Sequence, residues 1–197
     1  MKAREFKPRR LDVRAFAEDG ETLSGDEPAA GMPRLLELRH PDAAGDPAPV
    51  AWSAIGSLHP RRGAEPEVRL HLRGTTTLAL TCQRCLEPVE ATVTFDRDFL
   101  FVTTESEAAA LDADSEEDVL VLGRAFDLLE LVEDELLLEV PLVPMHEACP
   151  VEVALQHEAD DAPQAPGEDE ARDGEAPHPF AALAALRRTP GDGSTGG

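Results

Sequence analysis

The sequence predicts an α+β fold: a mainly antiparallel sheet or partly closed barrel, one main packing helix, and a disordered acidic linker behind them. Three observations carry this. Apolar and polar residues alternate along most of residues 50–95, the period of half-buried strands. A Leu-rich stretch at 127–140 repeats with the period of an amphipathic helix. Residues 158–177 (EADDAPQAPGEDEARDGEAP) are rich in acid and Pro without an apolar period, a composition that cannot build a core.

Along the chain, Asp12 is a natural cap for a short helix through Val13, Phe16 and Ala17 that stops at Gly20. Glu21 to Pro33 reads as a loop, Leu35 to Leu38 as a short strand, and residues 40–49 as a Pro/Gly-rich connection. Val50, Trp52, Ala54 and Gly56 then share one face. Val68, Leu70 and Leu72 follow, with Arg69, His71 and Arg73 on the other side. Thr76, Leu78 and Leu80 come next, then Val89, Ala91, Val93 and Phe95; Gly74 and the Cys82–Pro88 segment are the expected turns. Residues 103–118 read as an exposed acidic loop and Val119–Leu122 as one more strand.

The main helix is capped by Asp127 and ended by Pro141. Leu128, Leu131, Val132, Glu135 and Leu138 track one side, and Leu129, Leu136 and Leu137 widen the stripe. Burying it on a sheet is worth roughly 1.5–3 kcal/mol per large apolar side chain. The expected organisation is one domain over 1–157, the acidic linker at 158–177, a short docking helix at 178–188 with Phe180, Leu183 and Leu186 aligned, and a mobile tail at 189–197.

Composition narrows the function classes. Of 197 residues 42% are hydrophobic but only 4% aromatic, so the core must rest on Leu, Val and Ala. No run of about 18 apolar residues exists, so no membrane span is expected. The basic stretch Met1 to Arg14 lacks a following apolar region, which makes the cytoplasm the expected address. The net charge of −22 is unevenly spread: residues 1–100 hold 14 Lys/Arg against 16 Asp/Glu, residues 101–197 hold 4 against 24. The second half repels phosphate, so an RNA surface belongs to the first. Its candidates are Arg61, Arg62, Arg69, His71, Arg73 and Arg84; the alternative is a solvated sheet face balanced by acids. With so few aromatics to stack on bases, sequence-specific reading of single strands is not expected.

The strongest local motif is Cys82-Gln83-Arg84-Cys85, two thiols at the spacing of half a zinc knuckle, with His146 and Cys149 as a second half. Together they would form a closed Cys₃His set holding a structural zinc. Two other readings stay open: free thiols packed in a turn, and a redox pair, although no helix opens at this CxxC. An odd cysteine count in a reducing compartment argues against disulfides. Glu130, Glu133, Asp134, Glu135 and Glu139 on the helix read as its solvated face rather than as acid–base machinery. Phosphate-binding, dinucleotide and HExxH motifs are absent, so neither catalysis nor a small-molecule substrate is expected.

Three segments taken together resemble one family. They are Leu80-Thr81-Cys82-Gln83-Arg84-Cys85-Leu86-Glu87-Pro88; the helix from Asp127 to Leu136 running into Pro141-Leu142-Val143-Pro144-Met145-His146; and Pro179-Phe180 through Leu183 to Leu186, preceded by His178. In that order they resemble the YceD family of large ribosomal RNA subunit accumulation proteins, in which Asn usually stands where His178 does. The resemblance implies a non-enzymatic role in synthesis, processing or stability of large-subunit ribosomal RNA. The expected partner is the precursor RNA or, from the acidic charge, a basic ribosomal protein. Some relatives carry further C-terminal cysteines, whereas this chain has only Cys149 there. A zinc-knuckle protein-binding module is the alternative function.

Overall fold

The computed structural model describes residues 4–112, 115 and 117–151. Five strands form one open sheet in chain order: β1 (Thr22–Glu27), β2 (Val50–His59), β3 (Glu67–Thr81), β4 (Pro88–Val102) and β5 (Asp118–Val121). The first four are antiparallel neighbours and β5 runs parallel to β4. Among the described residues four α-helices accompany them: α1 (Val13–Asp19), α2 (Pro33–Glu37), α3 (Glu105–Asp112) and α4 (Leu128–Leu138). The fold is α+β with a mainly antiparallel sheet that does not close into a barrel. No helix among the described residues is long and apolar enough to cross a membrane.

Alternation along the strands sets the core. Val50, Trp52 and Ala54 of β2, Val68, Leu70 and Leu72 of β3, and Val93, Phe95, Phe99 and Phe101 of β4 point to one face. There they meet Val13 and Phe16 of α1, Leu35 of α2, and Leu128, Leu129, Leu131, Val132 and Leu136 of α4. Strands and main helix therefore share one hydrophobic cluster. The caps act as their sequence suggests: the Asp12 carboxylate accepts from Ala15 N at 3.0 Å, and Asp127 accepts from Leu129 N and Glu130 N at 3.1 Å each. Gly20 closes α1 in the left-handed conformation at φ 61°.

Several local expectations are corrected. Gly74 is not a turn; it lies mid-strand in β3, paired with Phe95, whose ring would sit 2.3 Å from any Cβ placed there. A buried aromatic fills the space of the missing side chain, so β3 runs unbroken for 15 residues. The stretch 22–27, read as loop, is the edge strand β1, and 105–112, read as loop, is α3. Leu35 to Leu38 is not a strand: Leu35 and Leu36 lie in α2, which begins at Pro33. Leu138 is 73% exposed and does not join the buried stripe.

The acidic row on α4 is not simply a solvated face. Glu133 and Glu135 are only 5% and 6% exposed. Glu133 Oε1 accepts from the backbone N–H of Arg34 at 2.7 Å and of Leu35 at 3.2 Å, and Oε2 accepts from Arg34 Nε at 3.1 Å. Met32 provides α2 with no side-chain cap, so a carboxylate 99 residues away in sequence satisfies its free donors. Glu135 meets Arg97, the one cation on the core-facing side of β4, with Nε and Oε2 2.8 Å apart. Glu139 takes a second Arg97 nitrogen at 2.9 Å. These charges seat α4 on the sheet and on α2.

The expected linker at 158–177, docking helix at 178–188 and tail at 189–197 lie outside the described residues.

Candidate metal centre

Cys82 and Cys85 stand on the loop joining β3 to β4, and His146 and Cys149 on the irregular segment after α4. The segments are docked by contacts to backbone carbonyls, among them Gln83 N donating to Pro144 O at 2.8 Å and His146 Nε2 lying 3.1 Å from Pro88 O. Within the loop, Cys82 N donates to Glu87 O at 3.0 Å and Leu86 N to Cys82 O at 2.9 Å. The turn is completed by Leu86 at φ 64°, the one non-glycine with positive φ among the described residues.

The four side chains converge. One donor atom from each of Cys82, Cys85, His146 and Cys149 lies within 4.8 Å of every other. Cys82 Sγ and Cys149 Sγ are 3.9 Å apart, and Cys85 Sγ lies 3.4 Å from His146 Nδ1. Because Pro88 O can only accept, His146 carries its proton on Nε2, which leaves the Nδ1 lone pair facing the sulfurs. This is how a second-sphere carbonyl orients a ligating imidazole.

The electrostatics favour anionic sulfur at Cys82 and oppose it at Cys85. Burial by itself would raise the Cys82 thiol, but the backbone N–H groups of Cys85, His146 and Arg84 outweigh it and bring the thiol down to about 5. Burial pushes Cys85 up to about 11, and the neighbouring sulfurs add to the rise. Thiols this close cannot all ionise without a cation among them. The Arg84 guanidinium donates through Nε to Cys149 Sγ at 2.9 Å and through a terminal nitrogen to His146 O at 2.9 Å. Its own pKa is raised, first by that bond to Cys149. The cluster could bind a metal ion, and its donor set is complete without water.

Of the six cations considered for RNA, Arg84 is thus turned to the thiols. Arg69 pairs with Glu67 and Glu117, Arg61 with Glu67, Arg73 with Asp96, and His71 stands between Asp96 and Asp98. Arg62 forms no ion pair among the described residues. The sequence did not reveal His40. Its Nδ1 accepts from Asp42 N at 3.0 Å, which puts the ring proton on Nε2, 3.0 Å from Leu86 O. It therefore braces the strained corner of the thiol loop from the connection after α2. A His before Pro in a loop gave no hint of that long-range contact.

The sequence model of the family described as "Large ribosomal RNA subunit accumulation protein YceD" matches residues 68–187, more than half of the chain. The chain belongs to the YceD family. The matched span begins in β3 and takes in β4, α4 and all four donors; β1, β2, α1, α2 and His40 precede it. The protein of that same name from Haemophilus influenzae is 35% identical over 109 residues, 55% of this chain and 59% of that protein. The chain thus spans little more than half the length of this YceD relative. No solved structure matches.

Proposed function

We propose that this chain is a non-catalytic cytoplasmic factor supporting the synthesis, processing or stability of large-subunit ribosomal RNA, with a structural zinc knuckle fixing the β3–β4 loop to the segment after α4. The observation carrying the proposal is that the four converging donors lie inside the span shared with the YceD family. The name of its relative describes accumulation of large-subunit RNA.

Zinc is favoured by chemistry and geometry. A tetrahedral Cys₃His site with Zn–S of about 2.3 Å and Zn–N of about 2.0 Å has edges of about 3.8 Å between sulfurs and about 3.5 Å between sulfur and nitrogen. The chain offers 3.9 Å and 3.4 Å at the two corresponding edges. Bound there, zinc would neutralise the crowded thiolates and tie the segment after α4 to the β3–β4 loop. Four protein donors leave no open position for water, which supports a structural rather than a catalytic role. Any direct RNA contact belongs to the sheet face carrying Arg69, His71 and Arg73 and to the β2–β3 loop carrying Arg61 and Arg62.

Depletion of the protein should lower large-subunit RNA relative to small-subunit RNA. The wild-type gene should restore it, and a Cys85→Ser gene should restore it less. A normal ratio on depletion overturns the proposal. Freshly purified protein should carry about one zinc per chain, lost in Cys85→Ser. Metal-free protein whose stability is indifferent to that change would remove the zinc. A second reading, an acidic carrier of a basic ribosomal protein, is favoured by the 40 Asp/Glu against 18 Lys/Arg.

A further inference from the structure

Four large aliphatic side chains stand in solvent on the two segments that the thiols join. Leu142 is 98% exposed, Leu86 69%, Val143 58% and Met145 54%. Single exposed leucines are ordinary on a protein surface. Here the segments are fastened side by side by the Gln83–Pro144 backbone bond and the His146–Pro88 contact. Pro141 and Pro144 flank the Leu-Val pair and fix their own φ. The apolar groups are thus displayed on a backbone already ordered, which lowers the entropy cost of docking.

We propose that this surface docks a basic protein segment that presents aliphatic side chains. The charge around it selects the occupant. Glu87 and Glu147 are exposed and form no ion pair among the described residues, while the nearby cation, Arg84, is turned to Cys149 and the carbonyls of His146 and Glu147. The rim is therefore negative and repels phosphate. Residues 83–90 and 141–151 contain no Phe, Tyr or Trp on which a base could stack, and the His146 ring is held between Cys85 Sγ and Pro88 O. A second copy is disfavoured, because it would bring the same acidic rim and a net charge of −22. The partner complementary to this rim is a cationic polypeptide with Leu, Ile or Val among its basic residues. This deepens the proposed function and rests on it for the choice of probe.

The full chain, immobilised, is offered in separate experiments two probes from purified large ribosomal subunits: their extracted proteins, and their 23S RNA stripped of protein. The wild type should retain basic proteins from the first. Retention should fall at least about tenfold in the double variant L142D/V143D, and also in the charge reversals Glu87→Lys and Glu147→Lys. Circular dichroism and metal content, unchanged in the double variant, establish that the body still folds. The proposal is overturned if the wild type retains no basic protein, or if L142D/V143D retains them equally well. It is also overturned if RNA retention is what the double variant loses, or if the patch proves to join two copies in sedimentation. Normal ribosomal RNA on depletion with capture intact would reject the accumulation role and leave the docking surface standing. Lowered RNA with no capture would reject the docking surface alone.

Discussion

The two ends of the sheet are held by different physics. Under α1, α2 and α4, the strands β2, β3 and β4 bury a continuous apolar face, and the charged groups of that interface, Glu133, Glu135 and Arg97, each meet a partner across it. At the thiol end, backbone hydrogen bonds, four donor side chains and an imidazole brace hold the loops, while Leu86, Leu142, Val143 and Met145 stay outside. The body should therefore be stable on its own, with the thiol end depending on its cluster for order. A local rigid display on a self-sufficient body suits a binding role.

The contrast breaks most sharply in the body. Phe99 is fully buried between β4 and the helices, and Phe99→Ala should cost about 3–5 kcal/mol through the lost transfer energy and the cavity. That loss should be the same with and without metal in a urea titration. A metal-dependent loss would mean that the two ends are not separable. Glu133→Ala comes next, at about 2–3 kcal/mol. It removes the carboxylate from two backbone N–H donors and from Arg34, and the half-exposed guanidinium recovers part of the loss by turning to water. Hydrogen exchange should show the loss concentrated at the amides of Arg34 and Leu35. Uniform loosening would assign Glu133 a general electrostatic role instead.

At the other end the informative residue is His40. Its Nε2–H bond to Leu86 O supports the one positive-φ corner of the loop. His40→Leu should weaken metal binding by about tenfold, the scale seen for outer-shell partners, with little change in urea stability. His40→Gln, which keeps a donor at the same reach, should restore it. A cobalt absorption spectrum, which reports the geometry of the four donors, follows both variants. Equal affinity in the Leu variant would show that the thiols position themselves.

What the sequence showed of all this divides along the same physical line. The inward faces of β2, β3 and β4 and the two aspartate caps are local signals, written in period and in the residue before a helix. The Cys82–Cys85 spacing is also local, and His146 and Cys149 repeat it, so all four donors were legible. Features made by distant partners were not. α2 depends on Glu133 for its free N–H groups, and Gly74 depends on Phe95 across the strand. β1 lies at the sheet's edge, where its residues alternate only between exposed and half-buried, so it carries no apolar stripe. Arg84 was readable as a cation but not as the partner of Cys149.

The smallest effect sharpens the comparison within the body itself. Burial raises the Glu135 carboxyl above its ordinary value of 4.5, against the pull of Arg97, which lowers it. A folded-state pKa above the unfolded one means that the folded state holds the proton more tightly. Its stabilising contribution is complete below pH 4.5 and is lost as pH rises through the raised folded value. Glu135→Gln cannot ionise and escapes that loss, while Arg97 keeps Glu139 at 2.9 Å. The variant should match the wild type in acid and gain on it as pH rises to neutrality, read as the difference between urea midpoints at each pH. A difference that runs the other way would mean that attraction to Arg97 outweighs burial, and that this ion pair contributes net stability where α4 sits on the sheet.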